Sequence, residues 1–182
     1  PEPEPEELAL VVATPAWITG QCYMLSACLT AGNGSVLLEG SPVSPQPTRF
    51  AQVIERHRVT IFKAGSTFLR QVMADARAVE ELGRCDLSSL RAASFCAEPV
   101  SPTVHAFASE HICRHYVKSY WSTEHGSIVF SRPFAEGGAP PTDARCTPVP
   151  WLEARVMAAA PDDESGTLQE SAPGERGEIV LL

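Results

Sequence analysis

The sequence predicts an α/β fold: a parallel sheet with helices on both faces, followed by a small β-rich piece. Three observations carry that prediction. Strand-like and helix-like segments alternate through the middle of the chain, which implies parallel pairing with right-handed crossovers. The strand-like segments VTIFKA (59–64) and RAASFCA (91–97) are mostly apolar without strict polar alternation, as in strands covered on both faces. After Phe130 the texture changes to Pro- and Gly-rich sequence, and two further strand-like runs follow.

Taken in order, the acidic start PEPEPEE reads as an extended tether over 1–12. An α/β segment spans 13–131. Its first element, 16–29, is apolar enough for a buried helix, and the turn AGNGS ends it, with Asn33-Gly34 as the turn pair. VLLE (36–39) is a short strand, and SPVSPQP punctuates after it. Phe50, Val53, Ile54 and His57 fall at helical spacing within 48–58. VTIFKA is β-branched and aromatic, hence a strand. Over 66–82 one amphipathic helix is predicted, with Phe68, Leu69, Val72, Met73, Ala76 and Val79 on its apolar stripe.

DLSSL (86–90) is a turn and RAASFCA a buried strand. Ser101 is an N-cap hydroxyl followed by Pro102 at the first helical position, so a helix starts there and turns Val104, Phe107, Ala108 and Ile112 inward. HYVKSY (115–120) returns as a strand. A connecting loop fills 132–150, and 151–182 form the small β-rich segment. There WLEARVMA and GEIVLL read as strands on either side of a polar, acidic, turn-forming stretch. The chain opens on Pro1 rather than Met and stops at Leu182 inside an apolar run, so it is expected to be processed, excised or part of a longer parent.

Composition narrows the partners. Lys and Arg number 14 against 22 Asp and Glu, for a net charge of −8, and no basic cluster occurs, which argues against nucleic acid or an anionic membrane surface. No apolar run approaches the roughly 20 residues of a membrane span. The six cysteines never fall as C-x-x-C, so neither a zinc nor a thioredoxin pattern is present. Scattered thiols of this kind suit a reducing intracellular compartment or organelle. His111 and His115 are four residues apart, but a helix end is expected between them, so they do not form a metal pair on one helix face.

The densest chemistry sits in YVKSYWSTEHGSIV (116–129). Ser119, Ser122 and Thr123 supply hydroxyls, Glu124 a carboxylate, and Tyr120 and Trp121 aromatic rings. Read by themselves, a Trp at a strand end is core and a Glu after a Thr on a loop is solvated, so the run supports a structural reading as well as a ligand site.

AWITGQCYML, LLEGSP, VIERHRVTIF, STFLR, DLSSLRAASFCAEPVSP, YWSTEHGSIV, TPVPWLEARV and PGERGEIVLL occur here in a fixed order. In that order and spacing the chain resembles the AMP-forming acyl-CoA synthetases, in particular their acetyl- and propionyl-CoA synthetase branch, from about Ala13 to Leu182. The resemblance implies ATP, Mg²⁺ and coenzyme A for an intact enzyme of this kind. It implies that Thr123 hydrogen-bonds the α-phosphate and that Glu124 holds Mg²⁺, the two catalytic candidates. Ala97, Glu98, Pro99, Ser119 and Tyr120 would lie at the nucleotide, and Ile18, Thr19 and Trp121 would line the acyl pocket, with Trp121 limiting it to short chains.

The departures from that pattern are specific. Lys118 stands where the family usually has an Asp that accepts from the adenine amino group, and a lysine has only donors. Ser94 and Ala97 replace glycines of the adenine loop. ATPAW (13–17) lacks the usual Asp, and AGSTFLR (64–70) lacks the usual proline. No Ser/Thr/Gly-rich phosphate loop with its lysine is present, and the ribose-binding acid, the hinge and the lysine-bearing C-terminal domain are absent from the sequence. Removing one preorganised donor costs about 10²–10³ in rate, so the chain alone is expected to bind no cofactor productively and not to adenylate. Two readings follow. In one, the chain is a degenerate synthetase domain kept as a structural or docking subunit, bound to other chains or segments. In the other, it is a segment of an intact short-chain acyl-CoA ligase or multifunctional synthase. The altered positions favour the first and the retained WSTEHG favours the second.

Overall fold

The computed structural model describes residues 7–96, 98–132, 146–158 and 169–182. They fall into two compact units, Pro1–Cys146 and Thr147–Leu182.

A five-stranded, all-parallel sheet forms the first unit. Its strands are β1 (Leu8–Val11), β2 (Gly34–Val36), β3 (Ile61–Ala64), β4 (Ala92–Phe95) and β5 (Tyr116–Val117), in the spatial order β2-β1-β3-β4-β5. Strand β1 corrects the expected tether over 1–12. Leu8, Ala9, Leu10 and Val11 are an apolar run that pairs on both sides, with β2 and with β3. The last acidic residue of the opening run holds its start: Glu7 accepts from the Thr60 hydroxyl at 2.6 Å and pairs with Arg91. The Pro/Glu repeat ahead of this strand conceals it, because the strand is only four residues long.

Alternate side chains divide the two faces of the sheet. Leu10, Phe62, Ala64, Ala93, Phe95 and Tyr116 point into the main core. Helices α2 (Arg49–His57), α3 (Ser66–Met73), α4 (Ala76–Leu82) and α5 (Pro102–His111) cover that face with Phe50, Ile54, Phe68, Leu69, Val72, Leu82, Val104 and Ala108. Aromatic rings fill its centre: Phe50 stacks on Phe62 at 5.7 Å, meets Phe68 edge-on at 5.1 Å, and Phe95 lies 4.3 Å from Tyr116. The opposite face, with Ala9, Val11, Ile61, Lys63, Ser94 and Val117, lies beneath a π-helical turn (Gly20–Ser26) that runs on into α1 (Ala27–Ala31).

Local chemistry sets the helix ends. Asp75 breaks the single helix expected over 66–82, because its carboxylate accepts from the N–H groups of Arg77 and Ala78 and so caps a new helix, α4. Ser101 caps α5 through the Val104 N–H, with Pro102 at the first position, as its sequence predicts. Helix α2 keeps nearly its expected span. It ends on Arg58 in the left-handed region (φ 54°), where the guanidinium pairs with Asp86 at 2.8 Å. At the end of α1, Gly32 takes φ 72°, so the turn falls one residue earlier than Asn33-Gly34 and Gly34 already belongs to β2. At the start of the π-helical turn the backbone of Gly20 lies against the Thr14 carbonyl, and a Cβ there would collide with it. The expected strand 115–120 splits at Lys118: β5 stays in the parallel sheet, and β6 (Ser119–Trp121) pairs antiparallel with β7 (Ile128–Ser131).

The second unit opens with β8 (Thr147–Pro148) and contains a three-stranded antiparallel sheet. Its central β9 (Ala154–Ala158) pairs with β10 (Gln169–Glu170) and β11 (Glu178–Leu181). Arg155 ties the sheet across strands, 2.6 Å from Glu153 and 3.6 Å from Glu170. The two strands expected in WLEARVMA and GEIVLL are β9 and β11. Much of the acidic stretch between them lies outside the described residues.

Two substitutions at neighbouring rings should have opposite signs. Phe62→Ala removes a fully buried ring and should cost about 3–5 kcal/mol. The hydroxyl of Tyr116 is buried with no hydrogen-bond partner among the described residues, and a group in that state costs about 1–3 kcal/mol. Tyr116→Phe should therefore raise the urea midpoint, and a lowered midpoint would show that the hydroxyl is satisfied in solution.

Candidate functional site

Parallel pairing brings the loops after β3, β4 and β5 to one edge of the sheet, where open α/β sheets bind their ligands. Of the adenine-loop residues expected there, Ala97 lies outside the described residues. Glu98 is held by α3: its carboxylate accepts from the Ser66 hydroxyl at 2.7 Å and the Thr67 N–H at 2.6 Å, with Arg70 3.7 Å away. A carboxylate at a helix N-terminus is favoured by the orphan N–H groups and by the helix dipole. Burial pushes the Glu98 carboxyl up, but these hydrogen bonds and Arg70 outweigh it and hold the carboxyl below the usual range. The Pro99 carbonyl also accepts from the Ser66 hydroxyl, at 3.0 Å. Glu98 and Pro99 thus fasten the β4 loop to α3 through side chain and backbone.

The hairpin β6–β7 carries the other expected residues. Ser119 donates to the Phe95 carbonyl at 2.7 Å and so ties β6 to the end of β4. Tyr120 stays largely exposed, 5.9 Å from Phe130 and 6.1 Å from His125. Thr123 and Glu124 occupy the turn between the strands, and both are exposed. The Glu124 carboxyl is held below its ordinary range, first by its own backbone N–H and then by the Ser122 hydroxyl. A single exposed carboxylate suits Mg²⁺, which keeps water and phosphate oxygens as most of its ligands. Among the described residues, no three His, Cys, Asp or Glu side chains gather to hold a metal ion by themselves. Lys118, just ahead of the hairpin, is half-buried, and its carbonyl accepts from Ser131 at 3.3 Å and the Cys146 thiol at 3.4 Å.

Trp121 turns inward at the end of β6, past a bulge between Tyr120 and Trp121. Its ring meets Tyr23 edge-on at 5.1 Å, and its indole N–H has no partner among the described residues. Tyr23 stands on the π-helical turn that follows Ile18 and Thr19, with Thr19 buried and Ile18 half-buried. The expected acyl-pocket residues therefore lie on that helix and on β6, and Tyr23 bridges the two elements.

Beneath Tyr23 lies Lys63, a residue that sequence reading passes over. It is 4% exposed in the middle of the sheet. Its ammonium donates to the Ser94 hydroxyl at 3.1 Å and the Phe95 carbonyl at 3.2 Å, and it sits 4.4 Å from the centre of the Tyr23 ring. Burial pushes it down to about 8, with the nearby Cys96 thiol opposing. The available signal was a lone lysine inside the apolar strand VTIFKA. Ser66 and Thr67, the partners of Glu98, were equally inconspicuous, since they read as ordinary helix-start residues.

Known proteins resemble this chain in sequence and in fold. The family described as AMP-binding enzyme matches residues 2–181. Over 185 residues the chain is 30% identical to an acetyl-coenzyme A synthetase of Cupriavidus metallidurans, covering 98% of this chain and 26% of that protein. Over 130 residues it is 34% identical to an acetyl-coenzyme A synthetase 2 of Candida albicans, covering 70% of this chain and 19% of that protein. The chain spans about a quarter or less of the length of these relatives. The fold matches a crystal structure of the anthranilate CoA ligase AuaEII in complex with anthranoyl-AMP. The TM-score is 0.75 at 22% identity, over 97% of this chain and 31% of that one.

Lys63 makes stability depend on pH. Between about pH 8 and its unfolded value near 10.5, the unfolded chain binds more protons than the folded one. Stability should therefore rise with pH across that window, by roughly 2–3 kcal/mol in all. Lys63→Met should abolish this rise and stabilise the protein at pH 7, as read from urea unfolding at a series of pH values.

Proposed function

The chain belongs to the AMP-binding enzyme family, and from that premise we propose that it forms one wall of an adenylate-forming, acyl-CoA synthetase-like cleft and does not adenylate by itself. Its role in this reading is that of a structural or docking subunit in a larger assembly. The observation that carries it is the disposition of the polar groups. Glu98 is fastened to α3, Lys118 replaces an acceptor with a donor, and Thr123 and Glu124 stand exposed on a turn. Catalysis by electrostatic preorganisation needs the whole set of phosphate-facing donors in place beforehand, and the exposed Thr123 and Glu124 supply a part of such a set. Apolar side chains left exposed on the first unit, Trp17, Leu29 and Leu37, suit burial against other chains or segments.

A second reading rests on the Glu124 turn. The carboxylate is exposed and held ionised, which fits one protein ligand to Mg²⁺. In an intact AMP-forming acetyl- or propionyl-CoA ligase, Mg²⁺ would neutralise charge on the ATP phosphates before coenzyme A takes the acyl group. Within that site Thr123 would donate to the α-phosphate. Ser119 and Tyr120, with the Ala97–Pro99 loop, would border the nucleotide. Trp121, Ile18 and Thr19 would enclose a short acyl chain.

ATP–pyrophosphate exchange with acetate, propionate and 3-hydroxypropionate separates the two. The chain alone should show none, and ATP should leave its melting temperature unchanged. Exchange by a longer protein that contains this chain, abolished by Glu124→Ala, would instead make the turn catalytic.

A further inference from the structure

The loop between β2 and α2 reads GSPVSPQPT (40–48), and neither reading of the candidate site uses it. It holds two Ser-Pro dipeptides, Ser41-Pro42 and Ser44-Pro45, and both serines are exposed. The loop is folded back on the start of α2: the Phe50 N–H donates to the Pro42 carbonyl at 2.9 Å and the Arg49 N–H to the Gln46 carbonyl at 3.0 Å. The Arg49 side chain reaches across the same loop. Its Nη1 donates to the Ser41 carbonyl at 2.8 Å and to the Ser44 carbonyl at 3.3 Å, and it would stand 3.4 Å from a Cβ placed on Gly40. Those acceptors are neutral, and among the described residues no carboxylate pairs with this guanidinium. Arginine presents its donors in a planar fork that matches a phosphate. The Ser41 hydroxyl also accepts from the Val43 N–H at 3.3 Å. A cation and a backbone donor therefore converge on one exposed serine that precedes a proline. The third Ser-Pro pair, Ser101-Pro102, is placed differently, since its hydroxyl caps α5 through the Val104 N–H.

We propose that Ser41 is a phosphorylation site for a proline-directed protein kinase, and that Arg49 receives the phosphate. The Ser41 hydroxyl oxygen would attack the γ-phosphorus of the kinase's nucleoside triphosphate. A new O–P bond forms, the bond from that phosphorus to the β–γ bridging oxygen breaks, the nucleoside diphosphate leaves, and the hydroxyl proton passes to the kinase's carboxylate base. The product carries about −1.5 to −2 charges at pH 7, and the guanidinium can turn from the neutral carbonyls to a charge-assisted pair of bonds with it. That pair would tie the loop to the first residue of α2. The loop leaves the C-terminal end of β2, so the new charge would stand on the edge of the sheet that carries the candidate site. The proposal goes beyond adenylation and holds whether or not the chain takes part in it.

Incubation of the chain with Mg·ATP and a kinase of the cyclin-dependent or mitogen-activated class, followed by intact and fragment mass spectrometry, tests the site. One phosphoryl group should be added, on Ser41. Ser41→Ala should lose it, and Ser44→Ala and Ser101→Ala should keep it. No incorporation at Ser41 by either kinase, or incorporation confined to Ser44, would overturn the proposal. Phosphorus NMR of the modified chain across a pH series tests the receptor. A phosphoserine without a partner titrates at about pH 6. Beside Arg49 its midpoint should lie a few tenths of a unit or more below that of a synthetic phosphopeptide spanning 37–48, which lacks the arginine. Arg49→Gln should bring the midpoint back to the peptide's. Equal midpoints in chain and peptide would overturn the assignment of Arg49, and that comparison needs no variant to fold.

Discussion

Parallel pairing is the constraint on which the rest depends. Once β1, β3, β4 and β5 run the same way, their C-terminal ends must share an edge, and each return must cross a face of the sheet. The crossovers α2 to α5 bury one face under a continuous aromatic core. The loops that leave the strands arrive together, and the hairpin β6–β7 follows directly from β5. The placement of Glu98, Ser119 and Trp121 is thus a consequence of topology before it is a matter of chemistry.

Charge is managed differently at two sites near the C-terminal end of β4. At the loop, Glu98 lies where a helix start offers N–H groups, a hydroxyl and an arginine, so an anion is welcome. In the sheet, Lys63 has neutral acceptors and a ring face among the described residues, so a cation is tolerated at a cost. Both side chains belong to the same neighbourhood of the fold, yet one is held ionised and the other is pushed toward neutrality. The difference comes from burial, deep at Lys63 and slight at Glu98, and from the Arg70 charge that stands beside Glu98 alone of the two.

Local chemistry made much of this legible in the sequence. The Ser101-Pro102 start of α5, the span of α2, the turn at DLSSL and the buried strands β3 and β4 all follow from rules acting over a few residues. What escaped depends on distant partners. β1 needed β2 and β3 to become a strand, and the acidic repeat ahead of it pointed elsewhere. Asp75 split a continuous apolar stripe because a cap competes with helix continuation. Lys118 marks the switch between two sheets, which no periodicity announces. For the site, the candidacy of Thr123, Glu124 and Trp121 rests on the ordered motifs. The grip of α3 on Glu98 and the burial of Lys63 required the third dimension, since each joins segments about thirty residues apart.

The carbonyl of Phe95 receives both Ser119 and Lys63. One backbone oxygen therefore serves the strand leading to the hairpin and the cation under the helix. The two neighbourhoods share a hinge pin that no side-chain replacement can remove, because it is main chain. Sequence drift at Ser119 or at Lys63 alters how strongly that oxygen is drawn toward the remaining donor, so the two positions are not free to vary independently.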